Sequence, residues 1–405
     1  MDKLPLINVP SAEVPTIDLV RDVTKHILRG NRWIFADCFD QKGKPGVALL
    51  KLKKDILAIG LVQPDVQLRF RLLCLTEEFY FKLKDIPGSL LKWAEIQMDR
   101  AIDLRKSWPS STNNSFRLVN GEGDGLPGLI IDVYNDTAVI KHDHPVIESF
   151  YNHKGIAQKI MGEFPFIKCV YLKRRNDVEE KGVNIVGELK EEVLFLEHGA
   201  RFASNIRDAA KTGFFLDQRD NRKLVGQFAK DKTVLNLFSY TAGFSIFAAL
   251  GGAKHVTSVD IAKAAIEAAK RNFEVNDIKV PHDAIAEDAF VYIDEQIKNK
   301  RKWDFVITDP PSFAPNQKAV EAATAAYVKV FSNSLKLVNH GGLFAASSCS
   351  SHISTDMFLD ICREAFSKTR KKGTLVYLGG QPFDHPYSLA MEELRYLKFA
   401  LFRLD

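Results

Sequence analysis

"TVLNLFSYTAGFSIFAALGGAKHVTSVD", residues 233–260, decides the fold, because it begins and ends with short apolar runs that are typical of buried strands. Similar runs follow it, and we place further strands at 282–288, 303–309, 341–348, 374–379 and 396–404. Strands that alternate with helices at this spacing predict a parallel sheet covered on both faces. The predicted fold class of this part of the chain is therefore α/β.

The stretch 261–276 is predicted to be a helix between the second and third strands. Its apolar residues recur at helical spacing and form one stripe, made of Ile261, Ala265, Ile266, Ala269 and Phe273. This stripe is expected to face the sheet.

Three predicted strands end in residues that suit a ligand, since ligands of an open α/β sheet bind outside the carboxyl ends of its strands. After the first strand, Ser239, Thr241 and Gly243 form a small-residue turn that allows close approach of the backbone. Asp260 follows the second strand, at about the interval where a carboxylate accepts hydrogen bonds from a ribose diol. Asp288 follows the third and is a candidate for the neighbourhood of an adenine.

The fourth strand ends in "DPPSF", residues 309–313. Two prolines restrict the chain and remove backbone donors, so Asp309 would be presented to a flat substrate in a fixed direction. The alternative for Asp309 is a solvated carboxylate at the end of a strand. Together the four strand ends predict a nucleoside-cofactor site.

Two enzyme classes use such a sheet. A dinucleotide-dependent dehydrogenase is disfavoured because the sequence has no GxGxxG after the first strand. The closing run "EELRYLKFALFRL" (392–404) after "TLVYLG" (374–379) suits the final strand pair of S-adenosylmethionine-dependent methyltransferases. The sequence therefore favours methyl transfer.

The first half of the chain has a different composition. Three β-like runs within 28–75 are separated by turn signals and predict a small barrel or meander, and 90–108 is predicted to be a helix. The Gly-rich "GEGDGLPG" (121–128) carries Glu122 and Asp124, which would repel a phosphate, so a structural turn is favoured over an anion site. A hairpin is predicted around residues 135–136.

Composition limits the function classes. The chain has 405 residues, 46% of them apolar, and a formal net charge of +5, which permits but does not demonstrate contact with a polyanion. No stretch is apolar enough to span a membrane, and the amino terminus carries no secretory signal pattern, so a cytoplasmic location is expected.

The five cysteines are widely spaced, and no metal site or disulfide is expected from them. Cys349 lies in "AASSCSSHIS" (345–354), directly after a predicted strand. Composition alone favours a small buried residue there, because cysteine is often buried. The alternative is a nucleophile, since the residue lies beside the strand that carries Asp309. Cys38, Cys74, Cys169 and Cys362 are expected to be core or incidental thiols.

Several motifs together resemble one family, the PUA-domain methyltransferases. These enzymes make 5-methylcytosine in 23S ribosomal RNA, the RNA of the large ribosomal subunit. The motifs are "TGFFLDQRDNR" (212–222), the run 234–276, "DFVITDPPSF" (304–313), "SSCSSHIS" (347–354) and "DHPYSLAMEELRYLK" (384–398). "RGNRWIF" (29–35) resembles the start of the family's PUA domain, which binds RNA, and "GEGDGLPGLIIDVY" (121–134) resembles its connecting domain.

The resemblance implies a Rossmann-like class I methyltransferase domain at 191–405, preceded by a β-rich PUA-like domain at 1–89 and an α+β connecting domain at 90–190. It implies S-adenosylmethionine as cofactor, Cys349 as nucleophile and Asp309 as a contact to the target base. The implied cofactor contacts are Phe238, Ser239, Tyr240, Thr241, Gly243, Asp260 and Asp288, with Gly213, Phe215 and Arg219 as lesser candidates. The implied substrate contacts are Pro310, Pro311 and Phe313. The chain departs from the family pattern at "DAAKTG" (208–213), where a histidine is expected.

Covalent catalysis suits cytosine C5, which is a poor nucleophile until a thiolate adds at C6 and the ring becomes an enamine. C5 then attacks the methyl carbon, a base removes the C5 proton, and the thiol leaves. A flipped or single-stranded base is expected, stacked on a residue such as Phe313. Two alternatives stay open: transfer to nitrogen by the "DPPS" loop, and a non-catalytic RNA-binding or assembly factor. The expected partner is ribosomal RNA, with no membrane, and a homodimer is left open.

Overall fold

The computed structural model describes residues 3–10, 13–174 and 181–405. The chain divides into two compact units. The first unit contains 1–195, 205–214 and 383–392, and the second contains 196–204, 215–382 and 393–405. In the described part of the chain, no helix is both long and apolar enough to cross a membrane.

A five-stranded sheet opens the first unit, in the order β1-β3-β4-β5-β2. Its elements are β1 (Thr16–Asp18), α1 (Thr24–Leu28), β2 (Trp33–Phe35), β3 (Gly46–Leu52), β4 (Asp55–Val62) and β5 (Leu68–Leu75). β3, β4 and β5 pair antiparallel with their neighbours in sequence, which confirms the predicted meander.

The helix α2 (Ile86–Arg105) follows and confirms the helix predicted at 90–108. It begins earlier than predicted because the Asp85 side chain accepts a hydrogen bond from the Gly88 backbone N–H at 3.0 Å and a proline occupies the first turn. Trp93 and Met98 are fully buried on its inner face.

A second five-stranded sheet, in the order β10-β9-β8-β7-β6, completes the first unit. Its elements are β6 (Ser115–Asn120), β7 (Leu129–Tyr134), β8 (Thr137–His142), α3 (Pro145–Phe150), α4 (His153–Glu163), β9 (Cys169–Lys173) and β10 (Gly182–Val186). The predicted hairpin is confirmed: β7 and β8 pair antiparallel about Asn135, whose φ of 55° is of the left-handed kind found in tight hairpin turns.

The Gly-rich turn is structural, as predicted. Gly121–Asp124 forms a short 3-10 helix whose carboxylates bind buried arginines. Arg71 donates to Glu122 at 2.6 Å, and Arg105 donates to both oxygens of Asp124 at 2.7 and 2.8 Å. Its negative charges are therefore already paired within the protein.

The second unit is built on a seven-stranded sheet in the order β15-β14-β13-β16-β17-β19-β18, which follows the two-stranded pair β11 (Val193–Glu197) and β12 (Ala200–Ser204). Its strands are β13 (Thr233–Leu237), β14 (His255–Asp260), β15 (His282–Ala286), β16 (Trp303–Thr308), β17 (Val338–Ser348), β18 (Gly373–Gly379) and β19 (Lys398–Leu404). Its helices are α5 (Arg219–Phe228), α6 (Gly243–Leu250), α7 (Lys263–Val275), α8 (Ala289–Lys298), α9 (Val320–Lys336) and α10 (Thr355–Thr369).

The pairing in this sheet explains where ligands bind. β15, β14, β13, β16 and β17 are parallel, so their carboxyl ends meet at one edge, and β19 is antiparallel to both β17 and β18. The α/β prediction and the predicted final strand pair are both confirmed.

One part of the predicted helix stripe is wrong. Ile261 is 70% exposed, because α7 begins only at Lys263 and the preceding residues belong to the turn that follows β14. Asn272 takes a place on the buried face instead, where its side-chain oxygen accepts from the Ala203 N–H and its amide donates to the Thr241 carbonyl.

Candidate active site

The turn between β13 and α6 has an unusual backbone. Phe238, Tyr240 and Ala242 have φ values of 58°, 46° and 65°, a left-handed region that residues with a Cβ rarely adopt. Each such residue costs on the order of 1–3 kcal/mol and persists only where its surroundings hold it, often at a binding site. The sequence predicted a small-residue turn here but gave no sign of this alternation.

Asp260 holds the turn in place from the end of the neighbouring strand. One carboxylate oxygen accepts from the Tyr240 N–H at 2.8 Å, and the other accepts from the Ala262 N–H at 3.0 Å. Each oxygen therefore keeps acceptor capacity for a further donor. This fits the ribose contact that the sequence predicts.

Two hydroxyls in the turn are buried without a partner. Ser239 Oγ and Thr241 Oγ1 make no hydrogen bond with any of the residues that the structure describes. Most buried polar groups are hydrogen-bonded, and each exception needs an explanation such as a ligand. The turn therefore fits a small polar group of the kind that a nucleoside cofactor presents, with Ser239, Thr241 and Asp260 able to hold it.

Asp288 has a structural role that is complete without a ligand. One of its carboxylate oxygens accepts from the Phe290 and Val291 N–H groups, at 2.8 and 3.2 Å, and so caps α8. Its second oxygen is not used in this cap. The predicted cofactor contact from Asp288 stays a prediction.

Asp309 lies directly after β16 and is half-buried. Gln218 Nε2 donates to one of its carboxylate oxygens at 3.1 Å and to the Ser347 hydroxyl at 2.8 Å. Burial raises the pKa of Asp309 to about 6, and the charge of Asp217 acts in the same direction, while Ser347, Arg222 and Gln218 act against it. At neutral pH this carboxyl group can therefore exchange a proton with a bound base.

Gln218 was missed by the sequence analysis as a site residue. The Asn221 side-chain amide donates to Gln218 Oε1 at 2.7 Å, which leaves the Gln218 amide pointing toward Asp309. Their three-residue spacing within the quoted "TGFFLDQRDNR" motif places both on one helical face and is the signal that could have identified them.

Cys349 follows β17 directly and is half-buried, whereas the other four cysteines are buried. Burial raises the pKa of its thiol to about 12, and the charges of Asp309 and Asp217 act in the same direction, while Lys398 lowers it. The resting thiol is therefore protonated at neutral pH.

Ser350 connects the loop that carries Cys349 to the loop that carries Asp309. Its hydroxyl lies 3.0 Å from the Ser312 hydroxyl and 2.8 Å from the Tyr327 hydroxyl, and it accepts from the Ala314 N–H at 3.3 Å. Tyr327 comes from α9 and is fully buried. The structure thus brings together Asp309 and Cys349, the two residues predicted to be catalytic, on the ends of adjacent strands.

The aromatic residues predicted for the site pack against protein neighbours. The Phe313 ring centroid lies 4.7 Å from that of Tyr327, and the Phe238 ring lies 5.7 Å from that of Phe290. Stacking of Phe313 on a base therefore stays a prediction, as do substrate contacts from the buried Pro310 and the exposed Pro311.

The lesser cofactor candidates are distributed between the units. Phe215 packs its ring edge-on to Tyr240 at 5.1 Å, so it contacts the predicted cofactor turn. Arg219 is fully buried, and its Nε lies 3.6 Å from an Asp220 carboxylate oxygen. Gly213 belongs to the first unit, where its φ is 147°. Their cofactor contacts stay predictions.

Comparison with known proteins agrees with this geometry. A family described as S-adenosylmethionine-dependent methyltransferase matches residues 168–372. A ribosomal RNA large subunit methyltransferase of Deinococcus radiodurans is 31% identical over 421 aligned residues, which cover 98% of this chain and 100% of the relative. Ribosomal RNA large subunit methyltransferase I of Tolumonas auensis is 30% identical, with 95% of this chain and 98% of the relative covered.

Solved structures are also similar. One, assigned as an S-adenosylmethionine-dependent methyltransferase of Streptococcus mutans, has a TM-score of 0.83 at 26% identity and covers 96% of this chain and 100% of that one. A second methyltransferase structure, complexed with SAH, has a TM-score of 0.82 over the same shares. The Rossmann-like methyltransferase fold and the predicted cofactor, S-adenosylmethionine, are both confirmed. The chain belongs to the family of S-adenosylmethionine-dependent methyltransferases.

Proposed function

We propose that this protein methylates C5 of a cytosine in large-subunit ribosomal RNA through a covalent adduct with Cys349. The observation that carries the proposal is the placement of a half-buried thiol and a carboxyl group of raised pKa on adjacent strand ends of the methyltransferase sheet. Relatives that are 31% and 30% identical over nearly the whole chain are named as methyltransferases of large-subunit ribosomal RNA, which supports the same substrate.

The two residues have separate tasks. The Cys349 thiolate adds to C6 of the base, which makes C5 electron-rich. After C5 has been methylated, a base or water takes up the C5 proton, the ring double bond forms again, and the pair of the C6–S bond returns to sulfur. Asp309, protonated or sharing a proton with N3 of the base, stabilises the charge that develops on the ring during addition. Bound S-adenosylmethionine supplies a methyl group that is already activated by its positive sulfur.

The direct test uses purified protein, unmodified large-subunit ribosomal RNA and isotopically labelled S-adenosylmethionine, followed by nucleoside analysis by mass spectrometry. Label in 5-methylcytidine is expected. Label in a nitrogen-methylated nucleoside would reject the covalent mechanism and favour amine recognition by residues 309–312. Absence of label together with retained RNA binding would favour an assembly factor.

Substitution of Cys349 tests the mechanism itself. Cys349→Ala should lower activity by several orders of magnitude, because the adduct forms through this thiol and the other four cysteines are buried. Cys362→Ala is the matched control, since Cys362 is a buried core thiol of α10. Equal activity of the two variants would contradict the proposed role of Cys349.

The proposal also assigns a role to each of three segments of the chain. The β-rich segment 1–89 acts as a PUA-like RNA-binding domain, 90–190 connects it, and 191–405 carries the chemistry, in the cytoplasm. Replacing exposed basic residues of 1–89, such as Lys25 and Arg29, should lower affinity for RNA in filter binding and leave SAH affinity in calorimetry unchanged. A homodimer, which light scattering at micromolar concentration would detect, is not required by this mechanism.

A further inference from the structure

Lys398 is a buried cation that the mechanism above does not use. It is the first residue of β19 and is only 1% exposed. A long charged side chain is seldom buried to this extent without a compensating partner. Its surroundings therefore call for an explanation.

Lys398 contacts the residues directly before and directly after Cys349 in the chain. Its backbone is paired in register with Ser348, the residue before the cysteine. Its ammonium group donates to the backbone carbonyl of Ser350, the residue after the cysteine, at 2.6 Å, and to the Tyr396 carbonyl at 2.8 Å. The segment 348–350 is thus held between the backbone and the side chain of one lysine.

The charged residues near Cys349 have opposite effects on its thiolate form. Asp309 and Asp217 both disfavour the thiolate, and Lys398 favours it. Asp217 is bonded to the Tyr396 hydroxyl at 2.8 Å, and Asp309 is bonded to Gln218. Among the described residues, no carboxylate lies within 4.0 Å of the Lys398 ammonium, so its hydrogen bonds go to neutral carbonyls.

We propose that Lys398 is a positioning residue for Cys349, which fixes the segment 348–350 and provides the counter-charge for the thiolate that attacks the base. This inference rests on the proposed function only in giving Cys349 the role of nucleophile. Two neutral carbonyl partners leave the positive charge of Lys398 uncompensated in the resting site. Formation of the thiolate compensates it, so the charged form of the sulfur gains stability that a neutral residue at 398 cannot give.

The chemical consequence concerns both halves of the reaction. The proton lost by the thiol must go to solvent or to a neighbouring base, and the electron pair that remains on sulfur forms the bond to C6. When that bond breaks, the pair returns to sulfur beside the same ammonium. Lys398 therefore assists addition and expulsion alike without contacting the base.

The titration of Lys398 predicts that the reactivity of Cys349 depends on pH in a particular way. Burial lowers its pKa to about 8, Cys349 opposes this change, and Arg395 adds to it. Below pH 8 the ammonium is charged and supports the thiolate, and above pH 8 that support is lost. A lysine that only ties down two carbonyls would show no such dependence at the sulfur.

The experiment measures alkylation of Cys349 by iodoacetamide between pH 6.5 and 10, read as the modified peptide by mass spectrometry on the full-length protein. Lys398→Met should react about tenfold more slowly than the wild type at pH 7, the equivalent of one pKa unit. The two rates should converge above pH 9. The arginine in Lys398→Arg stays charged, so Cys349 in this variant should be alkylated faster than in Lys398→Met at every pH between 6.5 and 10.

Lys371 provides a matched control. Its ammonium also donates to a backbone carbonyl, that of Val338 at 2.8 Å, and burial also lowers its pKa to about 8, but it lies at the opposite end of β17. Lys371→Met should leave the alkylation profile of Cys349 unchanged. SAH binding by calorimetry checks that each variant is folded.

The outcomes separate this inference from the proposed function. A pH-independent ratio of wild-type and Lys398→Met rates, or an equal effect of Lys371→Met, would overturn the role of Lys398. If Lys398→Met does not fold, the comparison of Lys398→Arg with the wild type above pH 9 decides, because only the arginine remains charged there. Activity that survives in Cys349→Ala would instead reject the nucleophile while leaving the alkylation result interpretable.

Discussion

Buried carboxylates have different hydrogen-bond partners in the two units of this protein. In the first unit, Asp124 lies against the fully buried Arg105, and Glu122 lies against Arg71. In the second unit, Asp309 receives hydrogen bonds from neutral groups, and its pKa is raised to about 6. Carboxylates paired with arginine hold a fold together, whereas a carboxyl group that is buried without an arginine hydrogen bond has a raised pKa and can take up a proton near neutral pH.

The largest expected effect is on the paired carboxylates. Arg105→Met should lower the free energy of unfolding by about 3–5 kcal/mol, because it leaves the Asp124 charge buried without its partner. Urea unfolding measures the change. Lys106→Met is the control at the neighbouring position, where the lysine pairs with Glu163 at the surface, and its effect should be much smaller. Equal losses would show that the Arg105 pair is no more important than a surface pair.

The unpaired carboxyl group should behave in the opposite way. The folded state raises the pKa of Asp309 from its ordinary value near 3.8 to about 6, so the ionised form destabilises the fold above pH 6. Asp309→Asn should therefore stabilise the protein at pH 7.5, by on the order of 2 kcal/mol. The gain should decrease as the pH falls below 6 and vanish below pH 3.8, where the wild-type carboxyl group is protonated in both the folded and the unfolded state. Thermal unfolding across this range measures it, and a loss of stability at pH 7.5 would contradict the comparison.

A smaller effect is expected at Asp260, whose two oxygens are held by backbone N–H groups. Asp260→Asn replaces an acceptor with a donor and should weaken SAH binding by about tenfold, corresponding to roughly 1.4 kcal/mol. Calorimetry measures this affinity. Asp288→Asn is the informative comparison, since Asp288 caps α8 through one oxygen that the asparagine retains. An equal loss of affinity would place Asp288 in the cofactor site beside Asp260.

The strand pattern alone predicted most of the second unit, because buried parallel strands and amphipathic helices have local periods that a single sequence displays. Asp260, Asp309 and Cys349 could be identified for the same reason, since Asp260 ends a strand, Asp309 and Cys349 each directly follow one, and the ends of parallel strands share one edge. Ile261 was misplaced, because apolar spacing does not reveal where the turn after β14 ends and the helix begins.

Other parts of the site were decided only by the tertiary structure. Gln218, at the end of a short 3-10 helix, bonds to Ser347, which is 129 residues away. Lys398 bonds to the carbonyl of Ser350, 48 residues away, because β19 pairs with β17 in space. The left-handed backbone at Phe238, Tyr240 and Ala242 is likewise imposed by contacts from outside the turn, such as that with Asp260. A sequence determines such features only through the complete fold, because neither long-range hydrogen bonds nor imposed backbone strain leave a local period.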